Sequence, residues 1–396
     1  MLGGGYGGGG FCHNPAIGIL NEMSFMTAPT IVILIPSLTL GGAEKQALLL
    51  AQCLVRHNVG RPIVVGIGKP GKLEGILKEK GIEGISLNMG FGFQLSRRKM
   101  WMRAWQFRRK IRALNPDFVV PLTFWPNVLG AFSCLGPGSA VCMWNQRSVD
   151  ANLPYSLLER LSKHSVALYS GNSQISADFI QQRHHLPSRN KVTVLPNLIS
   201  TESFGHEMGI LKSHNAPRVL MMANFFPGKR QDLVLKGLKI WEDTQPDKGI
   251  ELVFSGKAPG GYFVEQIKAL AFDLNLKSKV AFCQFSSLEE ALEMGIDIGL
   301  LATDSEGYSN SIMEYMQAGL PVLVSDIPAN REVLGAQLDN QLFGPSPEEF
   351  ASALQNLIEK KENWSSMGQA NRADLLARHW EKAEQIWIQT LQNVLK

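Results

Sequence analysis

Nowhere in the 396-residue chain do about 18 apolar residues run together, so the sequence predicts no helix that spans a bilayer. Cysteine is scarce and odd in number. Cys12, Cys53, Cys134, Cys142 and Cys283 show no paired metal spacing, which argues against a disulfide framework and a zinc site and suits a reducing compartment. The opening residues lack the charged start and apolar core of a secretory signal, so export is not implied. No turn carries a full G-x-G-x-x-G with an acid at the expected distance, which weighs against a dinucleotide oxidoreductase. Acids are missing altogether from Ser96 to Leu114, a stretch with eight basic side chains. No nucleic-acid motif accompanies that charge.

What is present is ordinary for a globular protein: 45% apolar and 19% charged residues, in a length that accommodates two domains. The charge is divided. Residues 27–196 carry 21 Lys and Arg against 8 Asp and Glu, a net +13, whereas residues 197–396 carry 18 against 26, a net −8. A basic half implies an anionic partner such as nucleic acid, a membrane surface or a phosphorylated substrate. The glycine-rich opening, residues 1–28, cannot bury apolar area and is expected to be disordered, with Met23 or Met26 as the expected natural start.

Short apolar runs alternate with helical periodicity. Ile31–Ile35 ends at Pro36, and Ala43–Val55 then reads as a helix. Runs follow at Pro62–Gly66, Phe118–Pro121, Ala140–Met143, Ala167–Tyr169 and Val192–Leu195. After a polar stretch they resume at Arg218–Ala223, Glu251–Phe254, Val280–Phe282, Ile296–Leu301 and Pro321–Val324. Strands alternating with helices predict parallel sheets covered on both faces. The domains are therefore expected at 29–197 and 217–376, joined by a linker at 198–216. A polar helix from about Trp364 to the end is expected, with residues 377–396 crossing back to the first domain.

In open α/β sheets, ligands collect beyond the C-terminal strand edges, where helix N-termini favour anions. The first domain places Gly41 and Gly42 there, in Ser37-Leu-Thr-Leu-Gly-Gly-Ala-Glu44. A plain strand-to-helix connection is the alternative for that turn. The second domain places Asn224, Lys229 and Arg230 there. Two adjacent cations at a helix N-terminus point to a diphosphate, unless the turn is simply solvated. The densest polar segment runs from Glu306 through Gly307, Tyr308, Ser309 and Asn310 to Glu314. Ser309 or Asn310 should start a helix, leaving Glu306 in the loop and Glu314 one turn inside. A carboxylate accepts from two adjacent hydroxyls, so Glu314 suits a ribose diol and Glu306 suits sugar hydroxyls.

These residues resemble the retaining glycosyltransferases of family four, glycosyl transferases group 1. The resemblance rests on the Gly-Gly-Ala-Glu turn, the Asn-Phe-x-Pro-x-Lys loop, Val194-Leu-Pro-Asn197 and the Glu-x7-Glu helix, and covers nearly the whole chain from about Thr30. It implies the GT-B architecture, two facing Rossmann-like domains with a cleft between them. It also implies a nucleotide-diphospho-sugar donor in the second domain. Glu314 would hold the ribose, Glu306 would contact the transferred sugar, and Lys229 with Arg230 would neutralise the leaving diphosphate, with no cofactor and no metal. The acceptor would be a saccharide or lipid-linked saccharide, in cell-surface polysaccharide or glycolipid biosynthesis. The chain departs from the family at Asn224, where many relatives have arginine. It departs again at Phe124-Trp-Pro-Asn127, where many carry histidine. Asn127, Asn145 and Arg147 are the acceptor-side candidates, an ordinary loop being the alternative for the last two. A non-catalytic nucleotide-sugar-binding protein and an NAD-dependent oxidoreductase are the competing functions.

At helical spacing, Met100, Ala104, Phe107, Ile111 and Leu114 form an apolar stripe, with Trp101, Trp105 and Arg108 among the residues opposite. Such a face suits anionic headgroups, unless the tryptophans pack on a neighbouring loop. On the membrane reading the chain is cytoplasmic and peripheral on the inner face of the membrane.

Overall fold

The apolar run near the start becomes β1 (Thr30–Ile35), and its alternate side chains enter two different cores. Ile31, Ile33 and Ile35 join one cluster, while Val32 and Leu34 join another on the opposite face. A strand buried on both faces needs no polar alternation, which is why it reads as continuous. In this computed structural model the described residues are 28–92, 94–149, 154–187, 192–200, 216–258, 260–285, 287–336, 341–379 and 381–395. The glycine-rich opening and most of the expected linker, residues 201–215, lie outside them.

β1 is joined by β2 (Arg61–Gly66), β3 (Glu83–Ser86), β4 (Phe118–Pro121), β5 (Val141–Gln146), β6 (Val166–Gly171) and β7 (Thr193–Val194). These form a parallel sheet in the order β3-β2-β1-β4-β5-β6-β7. A second parallel sheet contains β8 (Arg218–Met222), β9 (Glu251–Ser255), β10 (Lys279–Cys283), β11 (Ile298–Leu301), β12 (Val322–Ser325) and β13 (Leu342–Phe343). Its order is β10-β9-β8-β11-β12-β13. Here too, Val219 and Met221 face one core and Leu220 the other. In both sheets the order reverses beside the first strand, between β1 and β4 and between β8 and β11, the positions where such sheets open a crevice.

The polar C-terminal segment is two helices rather than the single one expected. Trp364–His379 packs in the second lobe, and Lys382–Leu395 lies on the first. The break passes through Glu381, whose φ of 51° lies in the left-handed region and stops helical propagation. Ala383, Trp387 and Leu391 are buried in the first lobe's core, and Trp387 Nε1 donates to Pro196 O at 2.9 Å. Burial of a side chain the size of Leu391 contributes roughly 1.5–3 kcal/mol. No helix among the described residues is long and apolar enough to cross a membrane.

Candidate functional site

Three strand-to-helix connections meet at the two crevices. The first follows β1 and starts helix Gly42–Arg56. The second follows β8, passes through a single tight turn at Pro227–Lys229 and starts helix Gln231–Thr244. The third follows β11 and starts helix Asn310–Gln317, which Ser309 caps by accepting from Ile312 N at 3.3 Å. The cap and the helix start fall where the sequence predicts them.

These connections touch across the lobes. Asn310 Nδ2 donates to Gly42 O at 3.1 Å, and Asn310 Oδ1 accepts from Asn197 Nδ2 at 2.7 Å and from Gln46 Nε2 at 3.2 Å. Gln46 also holds the backbone of Leu198 through both its amide atoms. A Cβ at Gly42 would sit 2.7 Å from the Asn310 amide, and one at Gly307 would collide with the Arg147 carbonyl. Close approach between lobes therefore requires glycine at Gly307, where the obstacle is backbone, whereas at Gly42 the Asn310 amide would have to give way. Lys257, just beyond β9, reaches Thr39 Oγ1 at 3.1 Å.

Each of the four donor-side charges singled out in the sequence, Lys229, Arg230, Glu306 and Glu314, has a partner of opposite sign. Lys229 Nζ bonds Glu306 Oε1. Arg230 Nη1 donates to Asp304 at 2.9 Å and its Nε to Asp232 at 3.3 Å, and the Asp304 bond leads the effects that raise the guanidinium's pKa. The two cations are thus neutralised by the protein itself, which removes the argument that adjacency alone demands an anion. Arg230 adopts φ 43°, a left-handed conformation that costs a non-glycine residue energy, while Asp304 N bonds Gly228 O at 3.0 Å and ties the loops together.

Glu314 pairs instead with Lys45 of the first lobe, Nζ to Oε1 at 2.9 Å. Lys45 was not singled out in the sequence, and neither was Lys257. Glu44 lies in the first turn of its helix. Burial pushes its carboxyl above the usual range, opposed by a backbone hydrogen bond, Lys257 and the Ser37 hydroxyl.

Other candidates have different occupations. Tyr308 is buried, its hydroxyl 2.6 Å from His379 Nε2, so its side chain anchors the loop rather than lining the cleft. Asn224 accepts from the Lys257 backbone N at 3.2 Å through its side-chain oxygen and from the Gln231 side-chain Nε2 at 3.2 Å through its backbone carbonyl. Asn127 and Asn145 are fully buried, because Asn145 lies inside β5 rather than after it. Both side-chain atoms of Asn127 bond the Asn145 backbone, at 2.8 and 2.9 Å, and the fully buried side chain does not face an acceptor. Asn145's own amide atoms have no partner among the described residues. Arg147 donates to Asn197 Oδ1 at 2.5 Å, and desolvation lowers its pKa to about 10.

Of the basic helix Arg97–Arg112, Ala104, Phe107 and Ile111 are buried as the stripe predicts. Arg108 donates to Phe132 O at 2.7 Å and Leu135 O at 2.5 Å, while Arg112 donates to Ser133 O at 3.1 Å. These guanidiniums satisfy the carbonyl end of helix Phe124–Ser133, a favourable place for cations. Trp101 is half-buried with its ring 5.8 Å from Phe132, which leaves Met102 and Trp105 as the exposed large apolar side chains of this face.

A family model described as Glycosyl transferases group 1 matches residues 180–374. The O-antigen chain mannosyltransferase RfbU of Salmonella typhimurium is 27% identical over 185 residues, covering 46% of this chain and 48% of the relative. The chitobiosyldiphosphodolichol beta-mannosyltransferase of Candida albicans is 23% identical over 182 residues, covering 45% of this chain and 40% of the relative. The chain thus spans less than half the length of these curated relatives. Anabaena Alr3699/HepE, solved in complex with UDP and glucose, shares the fold with a TM-score of 0.72. It is 19% identical, with 92% of this chain and 99% of that chain covered. The expected GT-B architecture is borne out by this likeness and by the two parallel sheets.

Proposed function

We propose that this chain, whose residues 180–374 are a glycosyl transferases group 1 domain, moves a sugar from a nucleotide-diphospho-sugar to a saccharide or lipid-linked saccharide acceptor with retention of anomeric configuration. One observation carries the reading. Glu306 and Glu314 flank the start of helix Asn310–Gln317, each held by a lysine, with the Gly41–Gly42 turn of the other lobe packed against Asn310.

That arrangement exchanges partners when a donor enters. The diphosphate takes over Lys229 and Arg230, which frees Glu306 for hydroxyls of the transferred sugar. The helix N-terminus adds partial positive charge at the same place. Glu314 leaves Lys45 and accepts from the ribose diol. The chemistry then rests on stabilising the departing diphosphate, where preorganised cations act in a partly desolvated cleft and removal of one such group typically costs about 10²–10³-fold in rate. On this reading the fixed cations do the work a divalent ion would otherwise do, so turnover proceeds without added metal.

The relatives named above act on O-antigen and on a diphosphodolichol-linked saccharide, which supports an acceptor of that chemical class. Thermal shift against nucleoside diphosphates and their sugars tests the donor, because a ligand of the folded state raises the melting temperature. The expected result is a rise with one base and its sugar conjugates. NMR of the glycoside formed from that donor should show the donor's anomeric configuration. No shift with any nucleotide sinks the reading, an inverted product sinks retention, and donor binding without turnover leaves a non-catalytic binder.

A further inference from the structure

Away from the donor loops, the first lobe and the returning C-terminal helix share a second cluster of chemically capable side chains. Helix Gly42–Arg56 carries Cys53, and His57 caps its end, so the two lie one turn apart on the same face. Helix Lys382–Leu395 brings Glu384 against them from a position 327 residues later than His57. The ligand atoms of Cys53, His57 and Glu384 all lie within 4.8 Å of one another. Glu384 Oε2 is 3.0 Å from His57 Nε2, while Oε1 is held by Arg56 Nη1 at 2.6 Å. Cys53 is buried, His57 is 39% exposed, and a cavity of about 280 Å³ adjoins His57 and Glu384, bordered also by Arg56 and Glu381.

We propose that Cys53, His57 and Glu384 form a binding site for a divalent transition metal of the zinc class, with a fourth position open to water from the adjoining cavity. Thiolate, imidazole and carboxylate are the three donor types that such ions accept together in four-coordinate sites. Binding breaks the Cys53 S–H bond, forms a sulfur–metal bond and releases the proton to solvent, with no change of oxidation state. Arg56 stays on Oε1 and orients the carboxylate from outside the coordination shell. The bound ion would tie the returning helix to the first lobe. Sequence spacing does not point to this cluster, because its third member arrives from the far end of the chain.

The test titrates the metal-free full-length protein with Co²⁺ and follows its absorption. The expected result is a stoichiometric sulfur-to-cobalt charge-transfer band with the intense visible bands of a four-coordinate ion, both removed by one equivalent of Zn²⁺. Cys53→Ser should abolish the charge-transfer band, and His57→Ala should weaken Co²⁺ binding at least tenfold. Stoichiometric Zn²⁺ should raise the melting temperature of the wild type but not of His57→Ala. If Cys53→Ser does not fold, the exposed His57→Ala variant decides the matter alone. Absence of the band at stoichiometric Co²⁺, its persistence in Cys53→Ser, or equal binding and an equal thermal shift in His57→Ala would each overturn the proposal.

Discussion

Lys229 and Glu306 meet within the second lobe, whereas Lys45 and Glu314 reach each other from opposite lobes. The inner pair is the more enclosed, its side chains 15% and 20% exposed against 32% and 25% for the outer. Water screens the outer pair more, so a contact of its kind is worth about 0.2–1 kcal/mol, while charges in the less polar inner position act more strongly on anything that replaces them. The comparison separates two duties. On the proposed function the inner pair would hold charge where a leaving group develops it, and the outer pair would be a weak latch between lobes that a ligand opens at little cost.

The largest effect should come from the inner pair. Lys229→Ala and Glu306→Ala should each lower turnover by about 10²-fold or more with little change in melting temperature, as read by steady-state kinetics beside a thermal melt. Near-normal activity in both variants would remove the inner pair from the site.

A smaller effect, on stability, concerns the anchor beneath that pair. Tyr308 holds the loop through His379, whose pKa burial lowers from 6.5 to about 4. The unfolded chain therefore takes up this proton as pH falls through 6.5, while the folded protein resists until about 4. This group leaves stability unchanged above that window and subtracts from it progressively within it, by on the order of 3 kcal/mol in full. Melting temperature should fall on acidification across the window, and His379→Gln should flatten that dependence. Parallel curves for variant and wild type would remove His379 as the cause.

The smallest effect belongs to the latch. Lys45→Met frees Glu314 from a pair that the donor has to break, so the donor KM should drop by up to about fivefold at unchanged kcat. A raised KM would instead make Lys45 a ligand contact and erase the distinction between the pairs.

Much of this was legible from residues whose partners are near in sequence or obey one period. The doubly buried strands announce themselves as unbroken apolar runs, and Ser309 declares its helix by its cap. β3 escaped because Glu83, Gly84 and Ser86 leave Ile85 as its one apolar residue, and β13 because it has two residues. Lys45 looks like any solvated helix lysine until the fold brings Glu314 to it from 269 residues away. Asn127 and Asn145 show the converse limit. A polar residue near a strand end can address a ligand or a neighbouring backbone, and spacing does not reveal which.

The return of Lys382–Leu395 to the first lobe has a consequence for biosynthesis. A core that includes Trp387 and Leu391 stays unfinished while the intervening lobe is being translated, so the half made first is completed last. Until that closing helix leaves the ribosome, the apolar surface that Trp387 and Leu391 cover in the finished chain would stand open on the nascent first lobe.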